Sequence, residues 1–206
     1  MRNFTLTNSF VADVRQRKLL SLSVVDKETC VAICSYELNL FGSPCFDITI
    51  TNNIAAGCFF AGFIAPGDEC NSTTSLKFRD NISHSNLGAG ALPYPDVSLG
   101  TNQNQCYQVA NFKSYKTTLP CVAAFYHTKE IRAYNLTCID QEKGLNLQTA
   151  GEGEKLVSKL YDSFIYGETA ADDCPNTANC RCKKKEGLML FGHNKQGKDL
   201  HIPSPS

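Results

Sequence analysis

A chain of 206 residues that is 42% hydrophobic and 19% charged has the composition of a folded protein, with enough length for one large or two small domains. Twenty basic side chains balance twenty acidic ones, so no net field draws in nucleic acid or an anionic membrane, and a nucleic-acid partner is disfavoured. Eleven cysteines beside two methionines and no tryptophan argue against a reducing compartment and for an extracellular or cell-surface protein held by disulfides.

The cysteines are widely and unevenly spaced, and no two stand in the CxxC arrangement of common zinc modules. Their odd number leaves at least one sulfur free or available for an intermolecular disulfide. Four N-glycosylation sequons, at Asn3, Asn71, Asn81 and Asn135, fit the same compartment. No signal peptide is visible, because Met1 to Val14 alternates polar and apolar residues. No stretch has the length of apolar residues that a membrane-spanning helix needs.

In chain order, Leu19 to Val25 reads as a strand, and Asp26 offers a helix cap. A helix is expected from Lys27 to about Glu37, with Cys30 and Cys34 on one face. After Gly42-Ser43-Pro44, the run Cys45 to Thr51 alternates, with Phe46, Ile48 and Ile50 on one side. Asn52-Asn53 then suits a turn, and Gly57 to Phe63 suits a returning strand. A helix bearing two cysteines followed by a hairpin bearing two more resembles the centre of PAN/apple domains. That resemblance covers residues 1–82 and implies a small antiparallel sheet with one helix packed across it. It also implies Cys30–Cys58 and Cys34–Cys45 bridges and a role in recognising proteins or carbohydrates.

Residues 83–105 are rich in glycine, proline, asparagine and serine and read as a linker or long loop. In residues 106–182, strands are expected at Cys106 to Val109, Leu119 to Tyr126 and Ile131 to Ile139. A helix is expected from Glu152 to Tyr166, where Leu156, Val157, Leu160, Tyr161 and Phe164 recur at helical spacing. Residues 183–206 read as a loosely ordered tail. The expected fold class is therefore α+β, a PAN/apple-like module followed by a disulfide-linked α+β region.

Catalytic readings find little purchase. A cysteine nucleophile needs an imidazole beside it, and His84, His127, His193 and His201 sit in no local signature of such a pair. Cys174, Cys180, Cys182 and His193 supply four zinc ligands by number but not by usual spacing. Lys183-Lys184-Lys185 is a short basic run flanked by acidic residues, and Phe59, Phe60 and Phe63 fit a half-buried hairpin as well as a recognition patch. The expectation is a secreted binding or adhesion protein with a protein or carbohydrate ligand and no cofactor, metal or assigned catalytic residue. The alternatives are a secreted Cys/His hydrolase and a secreted inhibitor or toxin-like effector.

Overall fold

A computed structural model describes residues 2–13, 29–33, 46–65, 68–69, 77–93, 105–124, 130–141, 143–149, 159–166 and 186–192. Among them the chain winds through six coils of three strands each. The first coil holds β1 (Arg2–Thr7), β2 (Phe10–Ala12) and β3 (Thr29–Ala32). The second holds β4 (Phe46–Thr51), β5 (Ile54–Ala56) and β6 (Ala61–Ala65), and is followed by the two-residue β7 (Asp68–Glu69). The third holds β8 (Phe78–Arg79), β9 (Ile82–His84) and β10 (Ala89–Pro93). The fourth holds β11 (Gln105–Ala110), β12 (Lys113–Thr117) and β13 (Val122–Ala124). The fifth holds β14 (Glu130–Tyr134), β15 (Thr137–Gln141) and β16 (Lys143–Thr149). The sixth holds β17 (Lys159–Tyr161), β18 (Phe164–Tyr166) and β19 (Glu186–Gly192).

The first strands of the coils stack into sheet A, the second into sheet B and the third into sheet C, all in parallel register except β7, which lies antiparallel to β11. This is a three-faced parallel β-helix. It overturns the α+β expectation and the antiparallel sheet with a helix across it, since no helix occurs among the described residues. The stretch from Lys27 to Glu37 contains β3, and Val31 points into the core. The stretch from Glu152 to Tyr166 contains β17 and β18. Of the residues at helical spacing there, Leu156 and Val157 lie outside the described residues, Leu160 packs against the core, and Tyr161 and Phe164 lie on the outer faces of sheets A and B, so the spacing mixes the two faces of two short strands. The alternation of β4 was legible, but β4 and β6 belong to different sheets of one coil and form no hairpin. The strand expected at Leu19 to Val25 lies outside the described residues.

The core is built of columns that climb the coils. On sheet A, Leu6, Ile50, Phe78, Val109, Ala133 and Leu160 stand in register. On sheet B the inward column is Val11, Ala55, Ser83, Ser114, Cys138 and Ile165. On sheet C it is Val31, Phe63, Ala91, Val122 and Leu145. Phe63, Phe78 and Phe112 meet at the centre with ring centroids 5.5 to 6.2 Å apart. Ile64, Leu92 and Ala123 are buried on the opposite face of sheet C, so that sheet is covered on both sides. Burial on both faces explains why Ala61 to Ala65 reads as an unbroken apolar run.

Sheets B and C approach so closely that side chains are omitted. A Cβ on Gly62 would lie 2.0 Å from Ser83 Oγ, and one on Gly90 would lie 2.5 Å from both Ser114 Oγ and the Cys121 carbonyl oxygen. Residues 83–84 and 89–93, within the stretch that composition marks as a loop, therefore belong to strands whose glycine and serine content is set by this contact.

Between sheets A and B the corner residues Asn8, Asn52, Asp80, Asn111, Asn135 and Asp162 all adopt left-handed backbone angles, with φ from 46° to 60°. Asn and Asp tolerate that state because their short polar side chains bond locally. The next residue in each coil turns inward. Asn53 Oδ1 accepts the Ser9 N–H at 3.0 Å, and Asn81 Oδ1 accepts the Asn53 N–H at 3.0 Å and its Nδ2 at 3.1 Å. Asn81 Nδ2 donates to the Ile50 carbonyl at 2.8 Å. Side chains thus satisfy amides that a sharp corner withholds from the sheet ladder.

Two outcomes test this packing. Asn81→Ala leaves buried partners on Asn53 and Ile50 unpaired and lowers stability by about 2–4 kcal/mol, read from the urea midpoint. Gly62→Ala lowers it by about 1–3 kcal/mol through overpacking, and an unchanged midpoint would refute the close approach of the sheets.

Candidate ligand-binding face

Among the described residues, the outer face of sheet B turns most of the exposed apolar and aromatic side chains to solvent. One outward column runs Phe10, Ile54, Ile82, Lys113, Thr137 and Phe164, and the other runs Ala12, Ala56, His84, Tyr115, Ile139 and Tyr166. Phe10, Phe164 and Tyr166 are 67%, 55% and 47% exposed, and Tyr115 is 37% exposed. The His84 ring lies flat on that of Tyr115, with centroids 4.8 Å apart and planes 1° apart. Phe164 and Tyr166 are nearly parallel at 6.1 Å. In-register parallel strands cause this, because equivalent side chains of successive coils are held about 4.8 Å apart, close to ring-stacking distance.

Polar columns border the face. On one edge, Asn111 Nδ2 donates to Asp80 Oδ1 at 2.8 Å and Asn135 Nδ2 donates to Asn111 Oδ1 at 2.9 Å. The other edge carries Asp13, Gly57, Ser85, Lys116 and Asp140, again at left-handed angles. Ser85 Oγ lies 3.2 Å from His84 Nδ1. Six strands about 4.8 Å apart and three to five residues wide make a strip of about 24 by 10 to 15 Å.

The outer face of sheet A carries Thr7, Arg79, Arg132, Tyr134, Lys159 and Tyr161, and its Tyr134 and Tyr161 rings are also stacked, with centroids 5.0 Å apart, but among charged side chains. There Arg132 bonds the buried Glu130, and that hydrogen bond raises the arginine's pKa, keeping it charged as the carboxylate's partner.

The residues expected to form sites fall as follows. Cys30 and Cys58 are joined with Cα atoms 5.6 Å apart, a bridge from β3 to the corner after β5 where the resemblance implies one from helix to strand. Cys34 and Cys45 lie outside the described residues. A second bridge, Cys121–Cys138, is fully buried, and Cys106 is disulfide-bonded as well. Every described cysteine is thus oxidised, and none of them is available as a thiolate nucleophile beside His84. Among the described residues no three side chains gather as metal ligands. The Cys174, Cys180, Cys182 and His193 set, together with His127, His201 and Lys183 to Lys185, lies outside those residues.

The sequons separate sharply. Asn81 is fully buried with its amide nitrogen engaged, while Asn135 sits exposed at a corner. Asn3 lies in β1, and Asn71 lies outside the described residues.

Sequence reasoning missed the outward columns of sheet B and the corner ladder that borders them. A signal was present: an apolar residue, any residue, then Asn or Asp recurs as Leu6-Thr7-Asn8, Ile50-Thr51-Asn52, Phe78-Arg79-Asp80, Val109-Ala110-Asn111, Ala133-Tyr134-Asn135 and Leu160-Tyr161-Asp162. The step between repeats runs from 24 residues (Val109 to Ala133) to 44 (Leu6 to Ile50), which hides the period.

No family model, curated protein or solved structure matches the chain.

When the chain is expressed through a glycosylating secretory route, peptide mapping of the folded fraction finds Asn81 unmodified. A native, protease-resistant population with a glycan on Asn81 would contradict its place in the core.

Proposed function

We propose that the chain is a secreted or cell-surface binding protein that holds an extended protein or carbohydrate ligand along the outer face of sheet B. The observation that carries this reading is the stacked His84–Tyr115 pair, turned outward in the middle of a rigid apolar strip. Exposed apolar surface of this continuity costs solubility, and its retention is characteristic of a contact site. The bridges Cys30–Cys58 and Cys121–Cys138 support the extracellular assignment, since such cross-links persist in oxidising compartments.

Shape and chemistry favour carbohydrate within that reading. The strip is far narrower than the patch of about 800 Å² per partner that globular proteins bury, so a linear chain fits it better than a folded one. A sugar chain offers apolar C–H patches to rings and many hydroxyls to the flanking Asn, Asp and Ser side chains. Rigid strands hold those groups in place before binding, which lowers the entropy lost on association.

The test is a glycan array followed by titration of any hit against point variants. Tyr115→Ala weakens binding about tenfold, equivalent to about 1.4 kcal/mol, and leaves the unfolding midpoint nearly unchanged. Capture of an extended peptide in place of a glycan would move the reading to protein recognition. Full affinity in both Tyr115→Ala and His84→Ala would remove this face from the function.

A further inference from the structure

We infer that the ligand of sheet B is an anionic sugar chain whose carboxylate or sulfate groups are held by Lys113 and Lys116 on either side of Tyr115, an assignment that rests on the reading of this face as a glycan site. What carries it is the placing of two cations without ion-pair partners around the stacked rings.

Among the described residues, the two outward columns of sheet B hold no carboxylate and one lysine, Lys113, set between Ile82 and Thr137. Lys113 stands two residues before Tyr115 on the same face of β12, about 7 Å along the strand. Lys116 follows Tyr115 at the corner toward sheet C, and both lysines are exposed. Across the width of the strip, β12 therefore presents a cation, a ring and a second cation, with the His84 ring stacked on Tyr115 from the coil before.

Neither lysine makes an ion pair among the described residues. The arginines of sheet A are treated otherwise, Arg79 being paired with Asp80 and Arg132 with Glu130. The chain as a whole has no net charge to attract a polyanion, so any preference for one must come from local groups of this kind.

The nearby carboxylates leave that preference in place. Asp80, on one edge of the face, is engaged by Arg79 and Asn111. Asp13 and Asp162 stand on the first and sixth coils, two or more coils from β12. Asp140 neighbours Lys116 on the fifth coil, which makes Lys113 the stronger anchor. Ile82 beside Lys113 and Ile139 beside Tyr115 are apolar neighbours, so an anion laid here is partly withdrawn from water and attracted more strongly than on an open surface. A lysine ammonium is a flexible point charge and suits carboxylate and sulfate alike.

The test is an array of linear glucan, galactan and mannan hexasaccharides, each printed neutral, with its primary hydroxyls oxidised to carboxylate, and with them sulfated. Anionic members bind about tenfold more tightly than their neutral parents, and the preference fades as salt rises from about 0.05 to about 0.5 M. The carboxylate and sulfate arms show which group is held. Lys113→Gln removes most of the preference, leaves affinity for the neutral chain unchanged, and is rescued by Lys113→Arg. Lys116→Asn, which suits the φ of 53° at that position, lowers the preference by a smaller factor. Tyr115→Ala weakens neutral and anionic chains alike. Equal binding of neutral and anionic chains, with Tyr115→Ala still weakening both, would overturn the anionic ligand and leave the glycan site standing. Binding to none of the chains, or capture of an acidic peptide alone, would overturn both. Loss of the preference in Lys159→Gln but not in Lys113→Gln would move the anion to sheet A beside Tyr161 and sink the assignment to Lys113.

Discussion

The left-handed backbone state at the corner between sheets A and B is the constraint on which the coil geometry depends. A chain that must leave one sheet and enter the next within two residues cannot keep its amides in the ladder, and an L-residue at positive φ costs of order 1 kcal/mol unless its side chain offsets the loss. Asn and Asp meet both demands in all six coils. Their amides and carboxylates also bond to one another from coil to coil, as in Asp80, Asn111 and Asn135, so a local conformational requirement becomes a long-range tie. Inward of them, Asn53 and Asn81 form a second ladder that gives way to Phe112 and Leu136 where the central aromatic cluster needs the volume.

A solenoid is stabilised through nearest-neighbour coils alone, so it is vulnerable to opening at any one interface. Both described bridges span such an interface: Cys30–Cys58 ties the first coil to the second, and Cys121–Cys138 ties the fourth to the fifth. Sequence separations of 28 and 17 residues correspond to about 3 to 4 kcal/mol each on the loop-entropy account. Cys138 also fills the inward column of sheet B between Ser114 and Ile165. The bridge therefore replaces apolar packing in a cross-section too thin for large side chains.

Strand alternation was legible in β4, because one face meets the core and the other does not, but the seven-residue β16 and β19 were not expected as strands. The cysteine chemistry was legible too, since a count of eleven leaves few explanations. The fold class was not. A corner between two short strands shifts the phase of alternation by one residue, so Leu160 and Ile165, like Ile131 and Leu136, stand five apart and fit neither a continuous strand nor one face of a helix although all four point to one core. Parallel pairing joins residues separated by 23 to 44 positions, and the unequal coil lengths conceal that recurrence. The buried sequon at Asn81 shows the limit of motif reading most clearly. The same triplet marks a surface loop by convention and here supplies a core amide, because hydrogen bonding to Ile50 and Asn53 outweighs the cost of hiding its side chain.

The three faces divide their roles by what covers them. Sheet C has apolar side chains on both sides and is sealed, as a parallel sheet requires when buried. Sheet A turns threonines, arginines, a lysine and the stacked Tyr134–Tyr161 pair outward, and the Arg132–Glu130 pair shows that even its buried carboxylate is matched. Sheet B alone combines small inward residues, which keep it close to sheet C, with rings that project outward in register. In-register pairing places Ser83 beside Ser114 against Gly62 and Gly90 on the inner side of β9 and β12, and His84 over Tyr115 on their outer side. The face proposed for binding is thus the reverse of a close contact between sheets B and C.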